Sequence, residues 1–254
     1  PVLVLNHLLW DDDEDYEDIV PLITPTIKVI QDKLYQIQSI ESEFDYTDED
    51  VEQIIAAATE YKLEVTAISS PTFKCEYNDE EAKAANVAGF EKCAIIANKL
   101  GAKYIRGFDF WNKDVPVEVR ATMYSEIIAL CEKYDVYCAL ESDPAVHSST
   151  PHKLAELLTA INNPRIKALF DPGNEIWVTG RASEDAYNKL APCGIVNVHV
   201  KDGVNTNGHT NAVKVGTGVA DFVGIFKKLI IDGYDGGIML ETHYRKNIEL
   251  TEEQ

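Results

Sequence analysis

The sequence predicts a single (β/α)8 barrel, a TIM barrel, over residues 1–254, and three observations support this prediction. Short runs rich in β-branched, aromatic and aliphatic residues recur eight times, with segments of helical periodicity between them. Repeats of roughly thirty to forty residues are what eight units need to fill a barrel of about 250 residues. No GxGxxG motif follows the first run, which disfavours an open dinucleotide-binding sheet built from the same alternation.

The predicted strands are short and are separated by amphipathic segments. They cover residues 2–5, 35–40, 64–68, 104–108, 136–140, 166–170, 195–200 and 237–240. Predicted helices cover residues 47–61, 80–100, 117–134 and 151–161, and Thr47 with Asp50 is typical of a capped helix start. Gly101 is placed to end the second of these helices. Pro21 and Pro25 predict an irregular helix in the first unit.

The charge balance and the cysteines limit the possible partners. Acidic residues outnumber basic ones 43 to 23, and a net charge of -20 repels phosphate backbones and anionic lipids. We therefore expect neither a nucleic acid nor a membrane partner. The five cysteines form no CxxC pair, and the apolar start of the chain has no basic region before it. No apolar stretch approaches the roughly 20 residues needed to span a bilayer. Reduced thiols and a cytoplasmic location are predicted.

Polar side chains follow the ends of the later strands, where the catalytic residues of barrels lie. In the seventh run, alternation places Asn197, His199 and Lys201 on one face, while valines occupy the other. The valine face is suited to packing against helices, so the polar face is predicted to point into the barrel. Glu141 and Asp171 follow the fifth and sixth runs in the same way. The last run ends at Glu241 and His243.

These residues predict a site for one divalent cation bound by Glu141, Asp171, His199 and Glu241. Three carboxylates crowded on one rim repel one another, and a cation removes that repulsion. Oxygen ligands with one imidazole suit Mn²⁺, Mg²⁺ or Co²⁺, and Zn²⁺ is also compatible. For each acid taken alone, the alternative is a salt bridge or a hydrogen bond at a strand end.

Several short segments of the chain are similar to motifs of a known family. They are SSPTFK at 69–74, YIR at 104–106, FDPGN at 170–174, VHVKD at 198–202, VGTG at 215–218, and GYDGG at 233–237 followed by LE at 240–241. These segments resemble the sugar phosphate isomerase/epimerase family, which belongs to the xylose-isomerase-like barrel superfamily. The likeness covers the chain from about Tyr35 onward and is more specific in the second half. No family motif is assigned to the segment 142–147 after Glu141, where a specialised substrate loop is expected, so substrate identity stays open.

The resemblance implies metal ligands at the same four positions and a mechanism in which Glu141 and Glu241 remove and return a proton. In that mechanism the cation stabilises the enediolate formed between the two transfers. Asn174 corresponds to a substrate contact of some relatives. Lys74 and Arg106 match basic positions that could bind a sugar phosphate.

Other candidate contacts each have a structural alternative. Lys201 is predicted to bind a substrate oxygen or phosphate or to form a salt bridge to an acid of the rim. His243 is predicted to support a ligand, to contact substrate, or to be an ordinary loop residue. Trp111 and Trp177 follow strands and could cover a sugar ring, although loop packing is the commoner role. The glycines at 216 and 218 favour a tight turn before a helix capped by Asp221 over a phosphate site.

Four functions are compatible with this pattern to different degrees. The first is an isomerase or epimerase of a small sugar or sugar phosphate. A lyase acting on a keto-polyol or dehydroshikimate-like acid needs the same ligands, and a non-catalytic sugar-binding barrel would keep them. DNA phosphodiester cleavage is disfavoured by the negative charge and by only six histidines. Relatives are often dimers or tetramers, so a homo-oligomer is possible, and residues 205–211 are predicted to form a flexible loop.

Overall fold

The computed structural model describes residues 3–4, 47–111, 114–182, 185–241 and 243–244. The predicted strand at 35–40 and the predicted irregular helix of the first unit lie outside these residues.

Seven parallel strands form one sheet within the described residues. Its strands are β1 (Leu3–Val4), β2 (Ala67–Thr72), β3 (Tyr104–Gly107), β4 (Tyr137–Glu141), β5 (Ile166–Phe170), β6 (Ile195–Val200) and β9 (Gly237–Leu240). The order across the sheet is β1-β9-β6-β5-β4-β3-β2. From β2 to β6, strands that are consecutive along the chain are therefore neighbours, as a barrel requires. The short strand β1 pairs with β9, with Leu3 opposite Ile238.

Helices connect successive strands of this sheet. They are α1 (Asp48–Tyr61), α2 (Glu80–Leu100), α3 (Val117–Thr122), α4 (Ser125–Tyr134), α5 (Pro151–Ile161), α6 (Pro172–Thr179), α7 (Ala186–Leu190) and α8 (Phe222–Ile231). The predicted helix signals are confirmed: Thr47 and Asp50 form a capping box at α1, and Gly101 ends α2 with a φ of 75°. Asp221 caps α8 by accepting from Gly224 N.

The hydrophobic core lies between the strands and the surrounding helices. Phe90 of α2, Tyr124 and Leu157 of α5 are fully buried in it. Val198 and Val200 of β6 belong to the same core, which confirms that the valine face of this strand packs against other apolar side chains. The opposite face of β6 is thereby left to point into the barrel.

Two predicted elements have different bounds in the structure. The strand expected at 64–68 is β2, which begins at Ala67 and runs through Pro71. Proline is tolerated there because the pairing with β3 shifts register between Ile68 and Thr72. The single helix expected at 117–134 is divided into α3 and α4. The buried Tyr124 at the break donates a hydrogen bond to the carbonyl oxygen of Phe108 at 2.7 Å.

The prediction of a flexible loop at 205–211 is wrong. This region belongs to an antiparallel hairpin made of β7 (Asp202–Thr206) and β8 (His209–Val213). Asn207 and Gly208 form its turn, with φ values of 53° and 84°. An Asn-Gly pair with positive φ at both positions is typical of the type I′ turn, whose twist matches that of a hairpin.

The state of the cysteines agrees with the sequence analysis, since all five are free thiols. Within the residues that the structure describes, no helix combines the length and the apolar character needed to cross a bilayer.

Candidate metal centre

Four neighbouring strands bring the predicted ligands together. Glu141 is the last residue of β4, His199 lies within β6, and Asp171 and Glu241 directly follow β5 and β9. Because these strands are parallel and adjacent, their carboxyl ends meet on one side of the sheet. The side chain of Asp171 also caps α6 by accepting from Asn174 N at 3.0 Å, which fixes its position.

The ligand atoms form a compact, buried cluster. One donor atom from each of Glu141, Asp171, His199 and Glu241 lies within 4.8 Å of all the others. The Nδ1 atom of His199 is 3.0 Å from Glu241 Oε2, 3.2 Å from Glu141 Oε1 and 3.5 Å from Asp171 Oδ2. This nitrogen therefore faces all three carboxylates.

The cluster fits a divalent cation. His199 Nδ1 is fully buried and makes no hydrogen bond within the described residues, although three carboxylate oxygens surround it. A buried nitrogen directed at a group of anionic oxygens is the arrangement that a metal ion satisfies. Oxygen donors predominate, so the site is compatible with Mn²⁺, Mg²⁺, Co²⁺ or Zn²⁺.

Lys201 brings a positive charge to this cluster. Its Nζ lies 2.6 Å from Glu241 Oε2 and 2.7 Å from Asp171 Oδ2, and only 3% of the residue is exposed. This is the salt bridge that the sequence analysis weighed against a substrate contact. Gly173 makes the approach possible, because a Cβ there would lie 2.4 Å from Cγ of Lys201.

The charges in the cluster shift the pKa of its members. Burial opposes ionisation of Asp171 and Glu241, but the positive charges of Lys201 and His199 outweigh it and hold the pKa of both acids below their usual values. Burial also opposes the charged form of His199. The carboxylates, Glu141 foremost, outweigh that effect and raise the pKa of His199 well above its usual value. The cluster thus attracts positive charge strongly.

Two more predicted site residues contact Glu141. Asn174 Nδ2 donates to Glu141 Oε1 at 3.1 Å and to the carbonyl oxygen of Ser142 at 2.8 Å. Arg106 Nη1 lies 3.4 Å from Glu141 Oε2 and 3.9 Å from Glu241 Oε1. Both side chains therefore position the glutamates, while a direct role in substrate binding stays a prediction.

Four predicted site residues remain, and the structure shows a contact for each of them. Lys74 forms a salt bridge with Asp143 at 2.8 Å, and its Nζ is 4.3 Å from the ring centre of Phe108. The rings of Trp177 and His243 are 6.2 Å apart. Trp111 is 44% exposed, and its backbone forms a bridge with that of Val146. A role in substrate binding stays a prediction for all four of these residues.

The glycine loop after the hairpin has the structural role that the sequence favoured. The buried carboxylate of Asp202 accepts from Gly216 N and Gly218 N, and also from Gly203 N and Ala220 N. An amide cradle that could hold an anion is thereby occupied by the protein's own carboxylate. Sequence reasoning missed this role of Asp202, although a carboxylate next to a strand end and a glycine loop nearby were visible signals.

A second buried acid was also missed. Asp109 follows β3 and accepts a hydrogen bond from Ser148 Oγ at 2.5 Å and another from Arg120. Burial raises the pKa of Asp109, although these two partners oppose the shift. Asp109 links the segment after β3 to the segment after β4, and its position after a strand was the available signal.

Comparison with known proteins supports the same fold. The family described as xylose isomerase-like TIM barrel matches residues 33–254. An uncharacterized protein of Methanocaldococcus jannaschii is 32% identical over 128 residues, which are 49% of this chain and 42% of that protein. The chain thus spans less than half the length of this relative.

Solved structures share the fold at low sequence identity. The 3-keto-D-glucoside 4-epimerase of Escherichia coli has a TM-score of 0.66 at 15% identity, covering 96% of this chain and 92% of that chain. The probable 3-DHS dehydratase of Bacillus anthracis has a TM-score of 0.65 at 21% identity, covering 94% and 92%. A xylose isomerase-like protein of Mycobacterium smegmatis in complex with magnesium has a TM-score of 0.65 at 15% identity, covering 80% and 74%.

The predicted fold class is therefore confirmed, because the family match covers most of the chain and the described strands have the order of a (β/α)8 barrel. The chain belongs to the xylose isomerase-like TIM barrel family.

Proposed function

We propose that this chain is a metal-dependent isomerase or epimerase of a small sugar or sugar phosphate. The observation that carries the proposal is the buried cluster at the carboxyl ends of four adjacent strands, in which Glu141 and Glu241 supply two of the ligand atoms. Barrel enzymes place their catalytic groups at this end of the strands. A cluster so costly to bury is unnecessary for the stability of a barrel.

Glu141 and Glu241 are the proposed proton-transfer groups. One carboxylate removes the proton from the carbon next to the substrate carbonyl, and the other returns a proton to complete epimerisation or isomerisation. When bound, the cation supplies positive charge that stabilises the negative charge developing on the substrate oxygens. Both glutamates are held in place: Asn174 donates to Glu141, and Lys201 contacts Glu241.

The first experiment measures bound metal and proton exchange with the same preparations. Elemental analysis of wild type should give about one divalent ion per chain, and His199→Ala should lose it because one of four ligands is removed. Substrate candidates are then screened in D₂O by NMR, with ketoses, their phosphates and keto-glycosides. Deuterium should enter the carbon next to the carbonyl.

Glu241→Gln tests the two-glutamate mechanism directly. The amide keeps the shape of the side chain but can neither remove nor return a proton, so formation of product should be abolished while the fold is retained. Glu156→Gln, an exposed position on α5, is the matched control and should form product at the wild-type rate. Product formation at the wild-type rate in Glu241→Gln would refute the mechanism.

Dehydration is a second candidate, favoured by the position of Lys201. Its ammonium group lies 2.6 Å from Glu241 Oε2, so a proton donor and a proton acceptor are adjacent at the site. Removal of a proton by Glu241 and protonation of a leaving hydroxyl by Lys201 would together eliminate water. Mass spectrometry of the same screen separates the two reactions, because dehydration lowers the substrate mass by one water and epimerisation leaves it unchanged.

A further inference from the structure

A small cavity lies inside the barrel next to the metal centre. The space in which the centre of a water-sized sphere can move is about 10 Å³. Ala139, Leu169 and Met239 contribute apolar walls, and the lining also includes Asn197 and His199 from β6. By the same measure, a space of roughly 10–15 Å³ is the smallest that holds one water molecule.

Two buried polar atoms of these lining residues have no hydrogen-bond partner in the described part of the chain. They are Oδ1 of Asn197 and Nε2 of His199. The residues are 1% and 0% exposed, so bulk water does not reach them. Buried donors and acceptors in native proteins are nearly always paired with protein or with an ordered water, because desolvating them without a partner is costly.

Asn197 and His199 lie on the same side of β6. They are opposite Gly237 and Met239 in the pairing of β6 with β9, so they are two residues apart and their side chains lie on the same face of the strand. Both residues line the cavity, so one water bound in it can contact both side chains.

We propose that this cavity binds one buried water, which accepts a hydrogen bond from His199 Nε2–H and donates one to Asn197 Oδ1. Asn197 is then a positioning residue for the metal ligand His199. A proton held on Nε2 leaves the lone pair on Nδ1, the nitrogen that faces the three carboxylates. This inference rests on the proposed metal site.

The first test is the affinity for Mn²⁺, measured by EPR detection of free Mn²⁺ during titration. Asn197→Leu keeps a similar volume but removes the acceptor, so Mn²⁺ affinity should fall about tenfold or more, the usual effect of losing a supporting contact of a metal ligand. Asn197→Asp retains the acceptor oxygen, so its Mn²⁺ affinity should stay closer to that of wild type than the affinity of Asn197→Leu does.

Thr66→Val is the matched control for loss of a buried polar atom. Thr66 Oγ1 is also buried and has no hydrogen-bond partner among the described residues. Thr66 Oγ1 and Asn197 Oδ1 both lie within 4 Å of the point where a Cβ of Gly237 would be, but Thr66 does not line the cavity. The Mn²⁺ affinity of Thr66→Val should equal that of wild type. Wild-type affinity in a folded Asn197→Leu, or equal weakening in Thr66→Val, would overturn the positioning role.

A crystal structure of wild type at high resolution tests the water itself, even where a variant fails to fold. Density should appear in the cavity at about 2.7–3.2 Å from both Asn197 Oδ1 and His199 Nε2. An empty cavity would overturn the proposal. Absence of Mn²⁺ binding by wild type would instead contradict the proposed function, and the crystallographic water would remain a separate result.

Discussion

Replacing Asp202 by Asn should destabilise the protein strongly. The two oxygens of Asp202 divide four backbone N–H groups between them: Oδ1 accepts from Gly203 at 2.9 Å and Ala220 at 3.1 Å, and Oδ2 accepts from Gly216 at 3.0 Å and Gly218 at 2.9 Å. In Asn, one oxygen becomes an NH₂ group, which cannot accept from the two N–H groups that face it.

The magnitude follows from the two hydrogen bonds that are lost. Hydrogen bonds to charged groups contribute about 1.5–3 kcal/mol each, so Asp202→Asn should lower the free energy of unfolding by about 3–6 kcal/mol. Domains are typically stable by about 5–15 kcal/mol, so this loss is a large fraction of the total. The remaining oxygen cannot compensate, because it already accepts from two N–H groups of its own.

Urea unfolding followed by circular dichroism measures this loss. Asp221→Asn is the control, because it makes the same chemical change at an exposed helix cap whose side chain accepts from Gly224 N. Asn and Asp cap helices about equally well, so the control should stay within about 0.5 kcal/mol of wild type. A loss below about 1 kcal/mol in Asp202→Asn would refute the reasoning that this carboxylate holds the glycine loop.

Three further predictions address the cluster, the core and the hairpin. Lys201→Met should lower the melting temperature of the metal-free protein, because Asp171 and Glu241 lose their counter-charge. Mn²⁺ should then raise the melting temperature of this variant by more than it raises that of wild type. Equal increases in the two proteins would contradict this account. Leu157→Ala should cost about 2–5 kcal/mol in urea unfolding by leaving a cavity in the core, with Mn²⁺ stoichiometry unchanged as the control readout. Gly208→Val should speed hydrogen exchange of the hairpin amides, since a β-branched residue is strained at a φ of 84°. Unchanged exchange rates would show that the turn does not need this backbone conformation.

Local patterns were sufficient to predict the barrel and the four candidate ligands. Alternation along β6 separated His199 from the valines of the same strand, and this depends only on the two-residue period of an extended chain. Glu141 and Glu241 were predicted at the rim because the carboxyl ends of parallel strands meet on one side of a barrel. The predicted bounds were less accurate at β2. There the apolar run predicted as a strand ends at residue 68, whereas the pairing with β3 continues to Thr72 after a shift in register.

The sequence by itself thus determined the fold class, the two faces of β6 and which candidate ligands meet at the rim, since these depend on neighbours along the chain and on one rule of topology. Only the tertiary structure decided which ion pairs and hydrogen bonds those residues form. Lys201 pairs with Asp171 and Glu241, Asn174 with Glu141, and Asp202 with amides up to eighteen positions away. The cavity beside Asn197 and His199 is likewise enclosed by side chains from several strands. Such contacts depend on the distances and side-chain conformations set by packing between segments far apart in the chain, and no pattern along one strand contains that information.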